Sequence, residues 1–279
     1  MTSEPRVLLV TGATSGIGRA TAELGARAGD HLVLVARRDE VLDEVALVCD
    51  GLGAASTLTC VADVAEDVEV EKAVAKAVAV HGRVDAVVHA AGVAAYGRAE
   101  EVPAEVFEAV VRTNLIGSVN VVRHVLPLMR ERDNGTLVLV GSVIGHIAVP
   151  SMTPYAVSKW GVRSLARQLQ IENRDRRGVR IGYVVPGGVD TDIYDKAANY
   201  SGSPGRAPLP VSVGVVARAC MRQLDRPRRS TQVGVANTAL RLAFTLAPGL
   251  FDALVGPLFR AGATDQRTDV EANTGNVLR

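Results

Sequence analysis

Tyr155 and Lys159 stand four residues apart in the run Tyr155-Ala156-Val157-Ser158-Lys159, and Ser142 precedes the tyrosine by thirteen positions. On a helix that spacing sends both side chains off one face, one turn apart. A phenol titrates near pH ~10 and exchanges protons poorly at neutrality. A neighbouring ammonium favours the phenolate and lowers that pKa, which predicts an acid–base tyrosine. Ser142 adds a hydroxyl able to hold and polarise a carbonyl oxygen beside the phenol. Tyrosine and lysine share helix faces by chance in many proteins, so the pair gains its weight from a glycine-rich stretch far upstream.

That stretch follows the strand-length apolar run Arg6-Val7-Leu8-Leu9-Val10 and reads Thr11-Gly12-Ala13-Thr14-Ser15-Gly16-Ile17-Gly18, with a helical pattern continuing to Gly29. In a strand–turn–helix context, Gly12 allows the tight turn and Gly16 lets backbone amides approach a pyrophosphate. Gly18 lets the helix pack on the strand. The competing reading is a plain loop with incidental glycines. His31 to Ala36 is the next strand, whose end faces the adenosine ribose in dinucleotide folds, where an acid grips the 2′-hydroxyl. Here Ala36 fills that place and Arg37-Arg38 follow. No carboxylate repels a 2′-phosphate and a guanidinium is at hand to pair with one. Two solvated arginines at a helix start are the alternative.

Further apolar runs span Thr57 to Ala62, closed by Asp63-Val64, and Val84 to His89, which leads into Ala90-Ala91-Gly92. That small cluster leaves room for a flat ring or sugar, and equally suits tight strand–loop packing. Ala104 to Arg132 reads as one long helical stretch with Asn114 inside it and a kink expected at Pro127. A mid-helix asparagine usually just points to solvent. Thr136 to Val140 delivers Gly141-Ser142, Met152 to Arg177 carries Tyr155 and Lys159, and Val179 to Val185 ends at Pro186-Gly187-Gly188-Val189-Asp190-Thr191. Strands alternate with helices, which predicts an α/β fold with a doubly wound parallel sheet, helices on both faces and ligands at the strands' carboxyl ends.

Residues 192–210 are rich in glycine, proline and tyrosine and read as a lid loop. A helix from Val211 to about Leu224 and a last strand within Arg228 to Val235 follow. Thr238 to Phe259 is apolar and interrupted. Its longest uncharged run, Leu242 to Phe251, has ten residues and contains Pro248 and Gly249. A spanning helix needs about twenty apolar residues, so no transmembrane segment is expected. Core packing is the default for this segment and a subunit contact is a second reading. The third, carried forward here, is a hydrophobic rim opening the pocket toward lipid-like substrates. Residues 265–279 read as a polar, frayed tail. No repeat or linker divides the chain, so residues 1–264 form a single domain.

Composition narrows the classes. A chain of 279 residues suits one large α/β domain or two small ones, and 48% hydrophobic with 22% charged residues excludes global disorder. A net charge of +1 provides no electrostatic case for nucleic acid or an anionic membrane surface. Cys49, Cys60 and Cys220 lack metal-ligand spacing, so no metal site is expected, and they read as reduced core residues of a cytoplasmic protein. Met1 to Arg6 is too short and polar for a signal peptide.

Taken in order, these motifs resemble the short-chain dehydrogenase/reductase family. The resemblance covers about residues 6 to 192 and rests on Thr11-Gly12-x-x-x-Gly16-Ile17-Gly18, Asp63, Ala90-Ala91-Gly92, Asn114, Ser142, Tyr155-x-x-x-Lys159 and Pro186-Gly187-x-Val189-x-Thr191. It implies a Rossmann fold, a nicotinamide cofactor and hydride transfer between an alcohol and a carbonyl compound. Tyr155 would be the acid–base residue, with Lys159 lowering its pKa and holding the nicotinamide ribose. Ser142 would orient the substrate oxygen, and Asn114 would anchor a water that relays protons through Lys159. Gly12, Thr14, Ser15, Gly16, Ile17, Gly18, Ala91 and Gly92 would contact the cofactor. Asp63 and Val64 would flank its adenine, and Pro186, Gly187, Val189 and Thr191 its nicotinamide side. Arg37, with Arg38 beside it, matches the basic position of members that prefer NADP(H).

Two positions depart from the family pattern. His89 stands where Asn often precedes Ala-Ala-Gly, and Ser15 where many NADP(H)-preferring members carry Arg or Lys. The resemblance also implies a homo-oligomer, dimer or tetramer, built on the long helices before and after Ser142. The expected protein is thus a cytoplasmic NADP(H)-dependent oxidoreductase acting on a secondary alcohol or ketone. Its small-molecule substrate would be apolar or lipid-like, in a pocket lined by His146, Val149, Met152 and Tyr194. Two other functions stay open: epimerisation or dehydration with cofactor recycling on the same fold, and non-catalytic NADP(H) sensing. The intact set of Asn114, Ser142, Tyr155 and Lys159 weighs against the last.

Overall fold

The computed structural model describes residues 4–203, 205–206, 209–263 and 270–278; Pro204 and Pro208 of the expected lid and residues 265–269 of the expected tail lie outside the described residues. Each apolar run forms a strand and each intervening pattern a crossover helix. In chain order these are β1 (Val7–Thr11), α1 (Gly16–Arg27), β2 (His31–Ala36), α2 (Asp39–Gly51), β3 (Ser56–Val61), α3 (Asp67–His81) and β4 (Ala86–His89). Then come β5 (Ala95–Tyr96), α4 (Ala104–Val111), α5 (Gly117–Glu131), β6 (Gly135–Val140), α6 (Thr153–Glu172), β7 (Val179–Pro186) and β8 (Ala198–Asn199). The chain closes with α7 (Val213–Asp225), β9 (Thr231–Val233), α8 (Asn237–Leu246) and α9 (Pro248–Ala263).

Seven of the strands form one parallel sheet in the order β3-β2-β1-β4-β6-β7-β9, a Rossmann-like arrangement. The order reverses at β1, where Thr11 pairs with Val35 on one side and His89 on the other. The crevice outside that reversal is where open α/β sheets bind ligands. Alternation along each strand divides the core. Leu8, Val10, Leu32 and Leu34 pack on Ala22, Leu42, Val45 and Cys220, while Val7, Leu9, Val33 and Val35 pack on Val74, Val121, Val125 and Leu169 on the opposite face. All three cysteines are free and buried.

Three expectations change. The helical stretch 104–132 is interrupted by a π turn at Arg112–Ile116, and α5 continues through Pro127. The break therefore falls at Asn114, whose side chain is drawn inward by hydrogen bonds, and not at the proline. The loop after β7 is tethered rather than loose, because β8 inside it pairs in parallel with β5. The described part of the tail, residues 270–278, does not fray. Asn273 bridges Asn199, the Asn276 amide donates to the Lys196 carbonyl, and Val277 is buried among Val93, Val102, Val106 and Ala198. Among the described residues no helix is long and apolar enough to cross a membrane.

Candidate active site

Two cavities open along the carboxyl ends of the strands, and Gly92 lines both. The first, of about 530 Å3, is bounded by Gly12, Thr14, Ser15, Arg37, Arg38, Asp63, Val64 and Ala91. Its floor depends on backbone proximity. Gly12 has φ +67°, and a Cβ there would stand 2.9 Å from the Ala91 backbone; one on Gly18 would collide with the Gly12 carbonyl oxygen. At the start of α1, Ser15 makes no capping bond with its side chain and the first turn holds no acidic residue. The helix amides are thus left to an external anion, which the helix dipole also favours. At the cleft edge Arg38 donates to Thr14 Oγ1 (3.3 Å). Arg37 lies 3.6 Å from the Asp63 carboxylate and donates to the Asn276 carbonyl at 3.2 Å. A dinucleotide phosphate fits the helix start and the two guanidiniums, so Gly12 to Gly18, Arg37 and Arg38 stand where they could hold one, with Asp63 and Val64 beside them at the cleft wall.

The second cavity, of about 510 Å3, is lined mostly by apolar side chains, with Ser142, Tyr155, Lys159, Thr191, Tyr194 and Arg206 among its polar ones. Ser142 follows β6 by two residues and caps a short 3-10 turn, its Oγ accepting from the Ile144 amide at 3.2 Å. Tyr155 lies in the first turn of α6 and Lys159 one turn on; Lys159 Nζ sits 5.7 Å from the Tyr155 ring centroid and donates to the Val140 carbonyl at 3.1 Å. Ile17, Pro186, Gly187, Val189 and Thr191 line the same cavity on its way to the first. Val149, Met152 and Tyr194 line it as expected, but His146 does not. That imidazole is buried beside Tyr183 with neither nitrogen partnered, and burial followed by the charge of Arg163 lowers its pKa to about 4.

Asn114 lines neither cavity. Its Oδ1 accepts from the Val93 amide (2.8 Å), and its Nδ2 donates to the Val93 carbonyl and to Ser158 Oγ (both 2.9 Å). The residue therefore ties the end of the Ala-Ala-Gly loop to α6 and steadies the helix that carries Tyr155 and Lys159. Ser158, inside the Tyr155-x-x-x-Lys159 motif, receives that bond and donates to the Tyr155 carbonyl at 2.7 Å. His89 is satisfied on one side only: Nδ1 meets Thr11 Oγ1 at 2.8 Å, and Thr11 Oγ1 accepts from the Ala91 amide at 3.3 Å. Complete burial, with the charge of Lys159 second, lowers the His89 pKa to about 3, so it stays neutral.

The expected lowering of the Tyr155 pKa is not found. Burial raises it well above the ordinary value, Tyr194 adds to the rise, and the hydrogen bond with Ser142 only partly opposes it. Burial also disfavours the Lys159 ammonium and lowers its pKa to about 8. Desolvation outweighs the pair's mutual effect because the lysine is drawn to a carbonyl rather than to the phenol. The arrangement can present a neutral phenol and a serine hydroxyl to one oxygen atom. Sequence reasoning missed the bonds made by Thr11 and Ser158, whereas the segment 238–259, read as a hydrophobic rim of the pocket, does contribute to its wall. Leu240, Leu250, Phe251, Leu254, Leu258 and Phe259 bound this cavity. A separate depression of about 380 Å3 bounded by Arg167, Arg174, Arg180, Arg228 and Arg229 holds none of the motif residues.

The profile of the short chain dehydrogenase family matches residues 6–200. A 3-oxoacyl-[acyl-carrier-protein] reductase of Thermotoga maritima is 34% identical over 196 residues, 70% of this chain and 79% of the relative. Among solved structures, a short chain dehydrogenase/reductase from Burkholderia phymatum in complex with NAD superposes with a TM-score of 0.79 at 26% identity, covering 88% of this chain and 95% of its own. An alcohol dehydrogenase from the archaeon Thermococcus sibiricus complexed with 5-hydroxy-NADP gives a TM-score of 0.70 at 30% identity, over 83% and 94% of the two chains.

Proposed function

The chain belongs to the short-chain dehydrogenases, a family of oxidoreductases, and from that premise we propose that it interconverts an apolar secondary alcohol and its ketone with NADP(H), Tyr155 serving as the acid–base group. The observation that carries this reading is the convergence of Ser142, Tyr155 and Lys159 on one largely apolar cavity that shares Gly92 with the glycine-lined cleft. When bound, the nicotinamide supplies or takes up the hydride. In the reductive direction Ser142 orients the carbonyl oxygen and the neutral Tyr155 phenol donates its proton to it. Burial keeps that phenol protonated and so supplies the proton, while the raised pKa makes it a weaker acid than the reaction would prefer. Lys159 helps hold the cofactor's ribose, and Gly12 to Gly18 hold its pyrophosphate. Asn114 keeps the Val93 loop and α6 in register, and a water held beside it would relay protons through Lys159.

Ala36, Arg37 and Arg38 at the cleft support the 2′-phosphorylated cofactor. The leucines of α9 support an apolar substrate: Leu250, Leu254 and Leu258 bound the cavity yet stay 63%, 48% and 63% exposed, as a hydrophobic mouth would. Three buried free cysteines support a reducing compartment such as the cytoplasm. Val157, Trp160 and Ile171, exposed along α6, support a homo-oligomer, dimer or tetramer, formed over that helix. The test is NADPH oxidation with a panel of ketones graded in chain length. Turnover should favour aliphatic members and vanish in Tyr155→Phe. Preference for small polar ketones would overturn the apolar assignment, and full activity in Tyr155→Phe would overturn the catalytic one.

A further inference from the structure

The carboxyl-terminal segment 270–278 reaches the edge of the first cleft, 239 positions away in sequence from the arginine it meets there. Gly275 and Asn276 line that cleft together with Arg37 and Asp63. The Arg37 Nη2 donates to the Asn276 main-chain carbonyl at 3.2 Å, while Nη1 faces the Asp63 carboxylate at 3.6 Å. A guanidinium is a planar fork, so a hold at each end fixes the plane it presents.

The segment is anchored on both sides of this contact. The Asn276 amide donates to the Lys196 carbonyl at 2.9 Å, and Asn273 exchanges both main-chain bonds with Asn199. Val277 is buried against Val93, which itself lines the cleft. Gly275 has φ +52° and lies so close to the loop after β7 that a Cβ would collide with the Lys196 carbonyl oxygen. The carbonyl that meets Arg37 is therefore held on a segment with little room to shift.

We propose that residues 275–277 are part of the nucleotide site, and that the Asn276 carbonyl positions Arg37 for the 2′-phosphate of an adenine dinucleotide. This rests on the NADP(H) reading. The segment touches Arg37 but not the reacting end, so its effect falls on the affinity for the 2′-phosphate. Asn276 is a positioning residue, acting through Arg37.

The test titrates NADPH, NADH and adenosine 2′-monophosphate against the full chain, a chain ending at Asp269, and the full-length Gly275→Val variant. Gly275→Val displaces the segment without removing it, and is read alone if the shortened chain does not fold. Expected is a loss of NADPH and adenosine 2′-monophosphate affinity of roughly fivefold to tenfold, as preorganisation is lost, with NADH changed less than about twofold. In an Arg37→Ala background, Gly275→Val should cause no further loss specific to the phosphorylated ligands. Equal weakening of NADPH and NADH, or unchanged NADPH binding, would overturn the positioning role while leaving the cofactor preference intact. Equal affinities of the unaltered protein for NADPH and NADH would overturn the preference, and this proposal with it.

Discussion

The two cavities are nearly equal in size, about 530 and about 510 Å3, and are made in opposite ways. The nucleotide cleft is built largely from main chain at strand ends, where Gly12, Gly18 and Ala91 approach so closely that a side chain is excluded. The substrate cavity is built from side chains, and much of its wall comes from α8 and α9, the last helices in the chain. Backbone surfaces are set by the sheet and tolerate few residue types. Side-chain surfaces leave the sheet alone and can vary. On the proposed function, the first half would hold the cofactor and the second would decide what meets it.

That division predicts which substitutions separate binding from turnover. Tyr155 lines the second cavity and not the first, so Tyr155→Phe should lower kcat by about a thousandfold, within the range of general acid–base contributions, while the NADPH dissociation constant moves less than twofold. Fluorescence titration beside steady-state kinetics checks it; a matching loss of NADPH affinity would blur the boundary. Next in size is Ala36→Asp, which places a carboxylate where the cleft meets the ribose. The NADPH-to-NADH affinity ratio should fall roughly tenfold to a hundredfold, with the kinetics of chain-length discrimination unchanged.

Lys159 lines the second cavity, and burial makes it costly in its charged form. Its folded pKa is about 8 against an ordinary 10.5, so between those values the unfolded chain binds the extra proton and folded stability rises with pH. Lys159→Met should thus be the more stable protein at pH 7 although inactive. Its advantage should shrink by at most about 1.4 kcal/mol per pH unit from pH 8 upward, read by denaturant melts at matched pH. A constant gap across that window would mean the ammonium is not penalised. The smallest effect belongs to the mouth. Phe251 is 6% exposed and packs on Val143, Ile147 and, edge-on at 5.2 Å, Phe244, so changing it would disturb folding. Leu250→Asp with Leu254→Asp avoids that and should raise KM for long aliphatic ketones about fivefold more than for short ones, from the apolar contact removed.

Legibility follows the same line. Thr11 to Gly18, Ala90 to Gly92 and the four-residue spacing of Tyr155 and Lys159 could be read because turn geometry and helix pitch demand particular residues at particular intervals. The strand boundaries at His31 and Ala36 were equally plain. The direction of the Tyr155 pKa shift was not readable, since it depends on how completely Tyr194 and the neighbouring loop close over the phenol. The two-residue pairing of β5 with β8 is too short to leave a period in sequence. Val277 is one of a few scattered apolar residues in a polar run, and only the folded chain shows that it is buried. His146 looked like a pocket residue by its place after Ser142, but its ring sits beside Tyr183, away from the cavity.

Helices α8 and α9 follow β9, the last strand of the sheet, so neither is a crossover on which strand order depends. They meet the catalytic half through side chains: Phe251 on Val143 and Ile147, Phe259 beside Tyr155 and Met152, and Phe244 edge-on to Trp160 at 6.0 Å. In evolutionary terms the pair is a cassette. Substitutions confined to residues 237–263 would reshape the wall and leave the strand order and the Tyr155 side of the cavity in place.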